Sequence, residues 1–424
     1  MEMTVIFGSI AALLLIAVIA NWLSGLTHVP DLIVLLIIGV VLGPVLHWVD
    51  ASRFRGAVEV LGTLALILIL FQGGLEVRLR EAMRQLTPAL ILALLTYALS
   101  LGLLAVAGRF SLGLTWVDAM LIGAALASTS GSIVLPALEQ IDSPESIKLT
   151  LTMESAVGEI LAVLVVGSII GVGGEQSMLT GLATGFTRSI GAAMALAIAA
   201  AFFWSKLWPR FANMPLSSVL NLGAVFGVYS AARYLGGSGL LAVLVFGVTL
   251  ANLPRTPHMT RQGLRMVAFH AELTFLVRSF FFVLLGIVAE FVGRNYIIPI
   301  IAILAAIVLA RYLGVLGSAW MIHDANTRQK ELLFWMLPRG LVTAVLALEI
   351  VSARGPVFGF LPAVAFTVVL VTNAFVVWGA VRCGATLIAQ EPFTPHHGMP
   401  VPPLAARREK ESHAKATGAG GDSV

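Results

Sequence analysis

Cysteine is almost absent from this chain of 424 residues. The single Cys383 excludes an intrachain disulfide and any cysteine-built metal cluster. Charge is scarce as well: Asp, Glu, Lys and Arg make up 11% of the residues, where a soluble domain carries roughly 25%. No nucleophile–base set, metal-ligand spacing or glycine-rich nucleotide loop is legible, which argues against a conventional enzyme and against a bound cofactor. The eight histidines lie mostly in loops or in the tail, as His396 and His397 do. The net charge of +4 reflects loop lysines and arginines, so no nucleic-acid partner is expected.

What is present in quantity is apolar surface. Hydrophobic residues make up 58% of the chain, and the mean hydropathy is +0.97. Runs of about 20 apolar residues recur from end to end, long enough to cross a bilayer core of about 30 Å. Lipid leaves such runs little choice but the helix, because every backbone polar group must be satisfied within the segment. The expected fold class is therefore an all-α polytopic membrane protein. Its spans fall near 4–22, 31–48, 57–75, 88–107, 117–138, 149–172, 187–205, 217–234, 238–253, 269–291, 296–320, 331–353 and 361–388. The first run, Val5 to Trp22, lacks a basic leader and a small-residue cleavage site, and reads as a retained helix. Residues 391–424, rich in Pro, His, charge and then Gly, read as a disordered cytoplasmic tail. An odd number of spans puts the two ends on opposite sides. The loop arginines and lysines favour an outer N-terminus and a cytoplasmic C-terminus.

Thirteen divides as six, one, six. The fifth span is interrupted by "ASTSGS" (127–132) and the twelfth, seven later, by "PRG" (338–340). Interrupted helices at matching places in two halves point to an inverted-repeat transporter with a midplane site. Ionisable residues inside the spans are few: Glu154, Glu159, Glu272, Arg278, Arg311, Arg339 and Glu349. Each is costly in lipid and calls for a partner or a function.

Helix geometry separates the two glutamates of "ESAVGE" (154–159). Five residues apart, they diverge by about 140°. Ser155 and Glu159 are four apart and share a face. A hydroxyl and a carboxylate on one face can ligate a desolvated hard cation through oxygen. The run Thr129, Ser130, Gly131, Ser132 supplies further hydroxyls, and freed carbonyls if the helix unwinds there. Glu154 points elsewhere and needs its own partner.

"ESAVGE" resembles the E-S-x-x-N-D motif of sodium/proton exchangers in the monovalent cation:proton antiporter superfamily. "LARYLGVLGSAW" (309–320) resembles their A-R-x-L-G-V-L-G helix, and "PRGLVTAVLALEI" their discontinuous L-R-G-A helix. "FQGGLEVRLREAMRQL" (71–86) and "ELTFLVRSFFFVLLG" (272–286) fall in the expected order. The resemblance implies thirteen helices with two discontinuous crossing ones, in a homodimer embedded in the lipid bilayer of a cell membrane, here a prokaryotic inner membrane. It implies a moving core domain near 88–172 and 296–388 and a dimerisation domain near 1–75 and 217–291, within an antiporter domain of residues 1–390. It also implies that Glu159 carries the cation or the proton, with Ser155, Thr129 and Ser130 beside it, and that Glu154 pairs with Arg311. Arg339, Glu272 and Arg278 are the remaining charges of the broken helix and the core. Two departures bear on ion selectivity. The family's Asn-Asp is Gly158-Glu159 here, and its frequent Asp-Pro in span 5 is Ser130-Gly131, where the "ST" run instead resembles the branch that contains potassium/proton antiporters.

Burial disfavours a bare charge, so a lone desolvated carboxylate holds either a proton or a monovalent cation at a given moment. The expected function is electroneutral exchange of sodium or potassium for protons by alternating access. The alternative is a non-transporting sensor or scaffold that retains the fold.

Overall fold

The computed structural model describes residues 2–27, 31–48, 54–76, 79–139, 141, 144–171, 178–211, 214, 216–253, 261–289, 293–318 and 327–383. The chain divides into a helical unit, Met1–Ile388, and a terminal segment, Ala389–Val424. That segment, and with it the tail expected at 391–424, lies outside the described residues.

Among the described residues there are fifteen α-helices and no strand. They are α1 (Glu2–Thr27), α2 (Asp31–Val40), α3 (Arg55–Glu76), α4 (Leu79–Leu112), α5 (Trp116–Ala127), α6 (Gly131–Glu139), α7 (Glu145–Gly171) and α8 (Met178–Phe211). There follow α9 (Ser217–Tyr234), α10 (Gly239–Asn252), α11 (Arg261–Val288), α12 (Ile297–Ser318), α13 (Thr327–Trp335), α14 (Leu341–Arg354) and α15 (Leu361–Arg382). Eight segments in this set are long and apolar enough to cross a membrane.

Local chemistry sets the two helix breaks. α5 starts at Thr115, whose hydroxyl accepts the Asp118 N–H at 3.2 Å, an N-cap that satisfies one of the donors a helix start leaves free. It ends where three hydroxyl residues follow in a row, with Ser128 already extended (φ −76°, ψ 140°). Such side chains offer the backbone alternatives to the helical ladder. The second break, residues 336–340, contains Pro338. Proline has no N–H to give, and it disfavours helical geometry in the residue before it.

α4 packs along α12, α5 and α7, with α14 and α15 beside them. α3 packs along α10 and α11, and α2 along α11. Small residues let two of these crossings close. Gly39 of α2 faces Gly286 of α11, where a Cβ on either would run into the other helix's backbone. Gly74 of α3 faces Gly247 of α10 in the same way. Such contacts replace the hydrophobic drive that lipid does not supply between helices.

Candidate functional site

The two breaks meet. The backbone N–H of Ser130, between α5 and α6, donates to the Pro338 carbonyl, between α13 and α14, at 2.9 Å. Gly340 lies so close to Ser130 that a Cβ there would overlap the serine side chain. Extended backbone has no ladder of its own, so its polar groups must be paired from outside. Here each break pairs part of the other.

α7 passes this crossing and brings both glutamates to it, on different sides. Glu159 is 6% exposed. Its Oε1 accepts the Gly131 N–H at 3.1 Å. Gly131 is the first residue of α6, so the carboxylate sits at a helix N-terminus, where the dipole and free N–H groups favour negative charge. Among the described residues, no basic side chain forms an ion pair with Glu159.

Glu154 is held differently. Arg311 of α12 donates from Nη1 to its Oε1 at 2.7 Å, with the two side chains 1% and 3% exposed. Nε of the same arginine donates to the Leu333 carbonyl at 2.8 Å. Leu333 lies in the last turn of α13, so the guanidinium meets the carbonyl end of a helix, where positive charge is favoured. The crossing thus presents a helix N-terminus to one carboxylate and a helix C-terminus to one guanidinium.

The other residues singled out in the sequence fall as follows. Ser155 is fully buried, and its hydroxyl donates to the Thr152 carbonyl at 2.9 Å. Its Oγ lies 3.0 Å from the position a Cβ would take on Gly131, which places it at the start of α6. Ser130 Oγ is 3.0 Å from Ser132 Oγ. Thr129 stands on the ion-pair side: its hydroxyl donates to Glu154 Oε1 at 3.3 Å. Arg339 is buried within the second break, in electrostatic reach of Arg311 and Glu154, and its Nε and Nη1 have no hydrogen-bond partner among the described residues. Arg278 is drawn away to Asp31 at the start of α2, at 2.8 Å. Glu272 is exposed on α11 and joins none of these contacts.

Three participants escape a search for charges within spans. Asp31 begins a helix and reads as a boundary residue. Thr372 and Asn373 are uncharged, yet they bind the backbone of Arg339. An amide in the middle of the apolar run of α15 is the one sequence signal that could have found the second pair. No group of three or more His, Cys, Asp or Glu able to hold a metal occurs among the described residues.

A family model described as "Sodium/hydrogen exchanger, transmembrane" matches residues 10–383. The chain is 29% identical over 410 residues to the K(+)/H(+) antiporter NhaP of Alkalimonas amylolytica, covering 94% of this chain and 70% of that one. It is 26% identical over 345 residues to the Na(+)/H(+) antiporter ApNhaP of Aphanothece halophytica, covering 79% of this chain and 65% of that one. It is 27% identical over 366 residues to the Na(+)/H(+) antiporter 1 of Methanocaldococcus jannaschii, covering 82% and 84%. Among solved structures, the sodium proton antiporter MjNhaP1 from Methanocaldococcus jannaschii at pH 8 matches with a TM-score of 0.71 at 21% identity, covering 90% of this chain and 96% of that one. At that identity the likeness speaks for the fold: an all-α, multi-pass membrane architecture. With the family model spanning residues 10–383, on a backbone that shares this fold and breaks two helices at one crossing, the chain belongs to the transmembrane sodium/hydrogen exchanger family.

Proposed function

We propose that this chain is an electroneutral monovalent cation/proton antiporter in which Glu159 binds a cation or a proton in competition. The observation that carries this reading is the setting of Glu159: a buried carboxylate at the meeting point of two broken helices, with a backbone N–H donor and no basic partner among the described residues. A charge so placed is tolerable when something neutralises it. A proton and an alkali cation are the two candidates that an oxygen site accepts. Ser155 and Ser130 are the oxygens proposed to complete the cation site, whereas the Thr129 hydroxyl is turned to Glu154. Glu154 and Arg311 serve as a structural ion pair and Arg339 as the further charge of the broken helix, while Glu272, exposed, and Arg278, held by Asp31, stand outside the core. The cargo is sodium or potassium against protons, and no cofactor takes part. The serine-rich break and the lack of a second acid at Gly158 favour potassium, as does the potassium specificity in the name of the relative from Alkalimonas amylolytica.

The finer architecture belongs to the same proposal. Counting α5 with α6 and α13 with α14 as one broken span each turns fifteen helices into thirteen spans in a six, one, six arrangement. The mutual packing of α4, α5, α7, α12, α14 and α15 supports a core domain near 88–172 and 296–388. The packing of α1, α2, α3, α9, α10 and α11 supports a second domain near 1–75 and 217–291, through which two copies form a homodimer. The protein sits in a prokaryotic inner membrane with its N-terminus outside and its C-terminus in the cytoplasm.

The test is dye-monitored pH change in everted vesicles, with sodium, lithium, potassium and rubidium added in turn. Cation-driven proton movement that saturates with cation concentration is the expected result. Silence with all four ions would leave a scaffold that keeps the fold without the transport.

A further inference from the structure

The backbone of Arg339, in the middle of the second break, is gripped from both sides by two neighbouring residues of α15. Its N–H donates to Thr372 Oγ1 at 3.0 Å. Its carbonyl accepts from Asn373 Nδ2 at 2.9 Å. Both side chains are almost wholly buried. The hydroxyl proton of Thr372 is committed to the Val368 carbonyl at 2.7 Å, so the oxygen lone pair is what the Arg339 N–H finds. Asn373 Nδ2 also donates to the Val369 carbonyl at 2.7 Å. Two carbonyl acceptors fix which end of the amide is the NH2, since carbonyls accept and cannot donate.

This grip continues to the carboxylate. One residue before Arg339, the Pro338 carbonyl accepts the Ser130 N–H at 2.9 Å. One residue after Ser130, the Gly131 N–H donates to Glu159 at 3.1 Å. An unbroken run of short polar contacts therefore links α15, the second break, the start of α6 and the glutamate on α7. An extended segment without its own ladder takes its position from whatever pairs it. On this run that is α15.

We propose that Thr372 and Asn373 are positioning residues that set the cation affinity of Glu159 through the backbone of the second break. The proposal rests on the reading of Glu159 as the carrier. Neither residue exchanges a proton or ligates the ion. Their task is to hold Pro338 where it can hold Ser130, and so keep the Gly131 N–H aimed at the carboxylate. Loosening the grip blurs the ion site and leaves the rigid movement of the core untouched. The signature is a change in apparent KM rather than in maximum rate.

The experiment compares proteoliposomes of the full chain as wild type, Thr372→Val, Thr372→Ser, Asn373→Leu, Thr367→Val and Glu159→Gln. Proton flux is read against rising potassium and sodium at fixed pH, per amount of folded protein. Valine keeps the shape of threonine and removes the hydroxyl; serine restores it. Thr367 lies on α15 too, but its hydroxyl donates to the Ala363 carbonyl of its own helix at 2.9 Å. Thr372→Val and Asn373→Leu should raise the apparent KM about five- to tenfold, the size of one lost hydrogen bond, with the maximum rate within about twofold of wild type. Thr372→Ser and Thr367→Val should match wild type. An unchanged KM in folded Thr372→Val and Asn373→Leu would overturn the proposal. So would loss of folded protein in both, since the pair would then hold the fold and not the affinity. Flux remaining in Glu159→Gln would instead remove the carrier reading beneath it, a separate outcome.

Discussion

Ser130 and Pro338, more than 200 residues apart in sequence, share a 2.9 Å hydrogen bond that closes the crossing of the two broken helices. The contact needs Gly340, because a Cβ there would overlap the Ser130 side chain. The Gly340 backbone (φ −145°, ψ −144°) lies outside the left-handed region, so the conflict is one of space. Gly340→Ala should cost roughly 1–3 kcal/mol, as overpacking does, and should impair exchange. Gly223→Ala is the control, since a Cβ at Gly223 meets nothing within 4 Å. Thermal unfolding in detergent and vesicle flux read both. Equal behaviour of the two variants would show that the crossing tolerates separation.

Glu159→Gln should abolish exchange while leaving folded protein. The amide is nearly isosteric and can still accept from the Gly131 N–H. It can neither hold a proton reversibly nor neutralise a cation. Size-exclusion profiles and cation-driven proton flux of the same preparation make the check. Clear residual flux would rule Glu159 out as carrier.

Glu154 and Arg311 should behave as a coupled pair. At 2.7 Å and almost wholly buried, each compensates the other's charge. Removing one partner strands the other, at roughly 3–5 kcal/mol. Glu154→Gln and Arg311→Ala should each lower the yield of folded protein, and the double variant should recover part of that loss. A double variant no better than the sum of the singles would argue that the contact contributes little.

Charge balance follows from counting free carboxylates. Glu154 is committed to Arg311 and Thr129, and Gly158 and Ser130 supply no second acid. On the proposed mechanism, Glu159 is the carboxylate among the described residues of this crossing left to exchange its load, one cation for one proton. A potential is worth about 2.3 kcal/mol per charge per 100 mV, so an electrogenic cycle would respond strongly. Flux in proteoliposomes at zero and at about −100 mV should agree. A marked acceleration or inhibition by voltage would bring Glu154 into the transport cycle.

The sequence by itself determined the membrane class, because apolar runs of bilayer length leave the backbone only the helix. It determined where the ladders fail, because proline lacks the N–H and consecutive hydroxyls compete for the backbone. It also separated Glu154 from Glu159, because helical periodicity turns five residues into different faces. Periodicity says which residues share a face, however, and not which helix covers it. Only the tertiary structure decided that Asp31 meets Arg278 across 247 residues, that Thr129 donates to Glu154, that Glu272 stays exposed, and that Thr372 and Asn373 take hold of Arg339. Each of those contacts depends on how closely two helices approach. Glycines set that approach in pairs, such as Gly39 with Gly286, and no local pattern in either helix names the other.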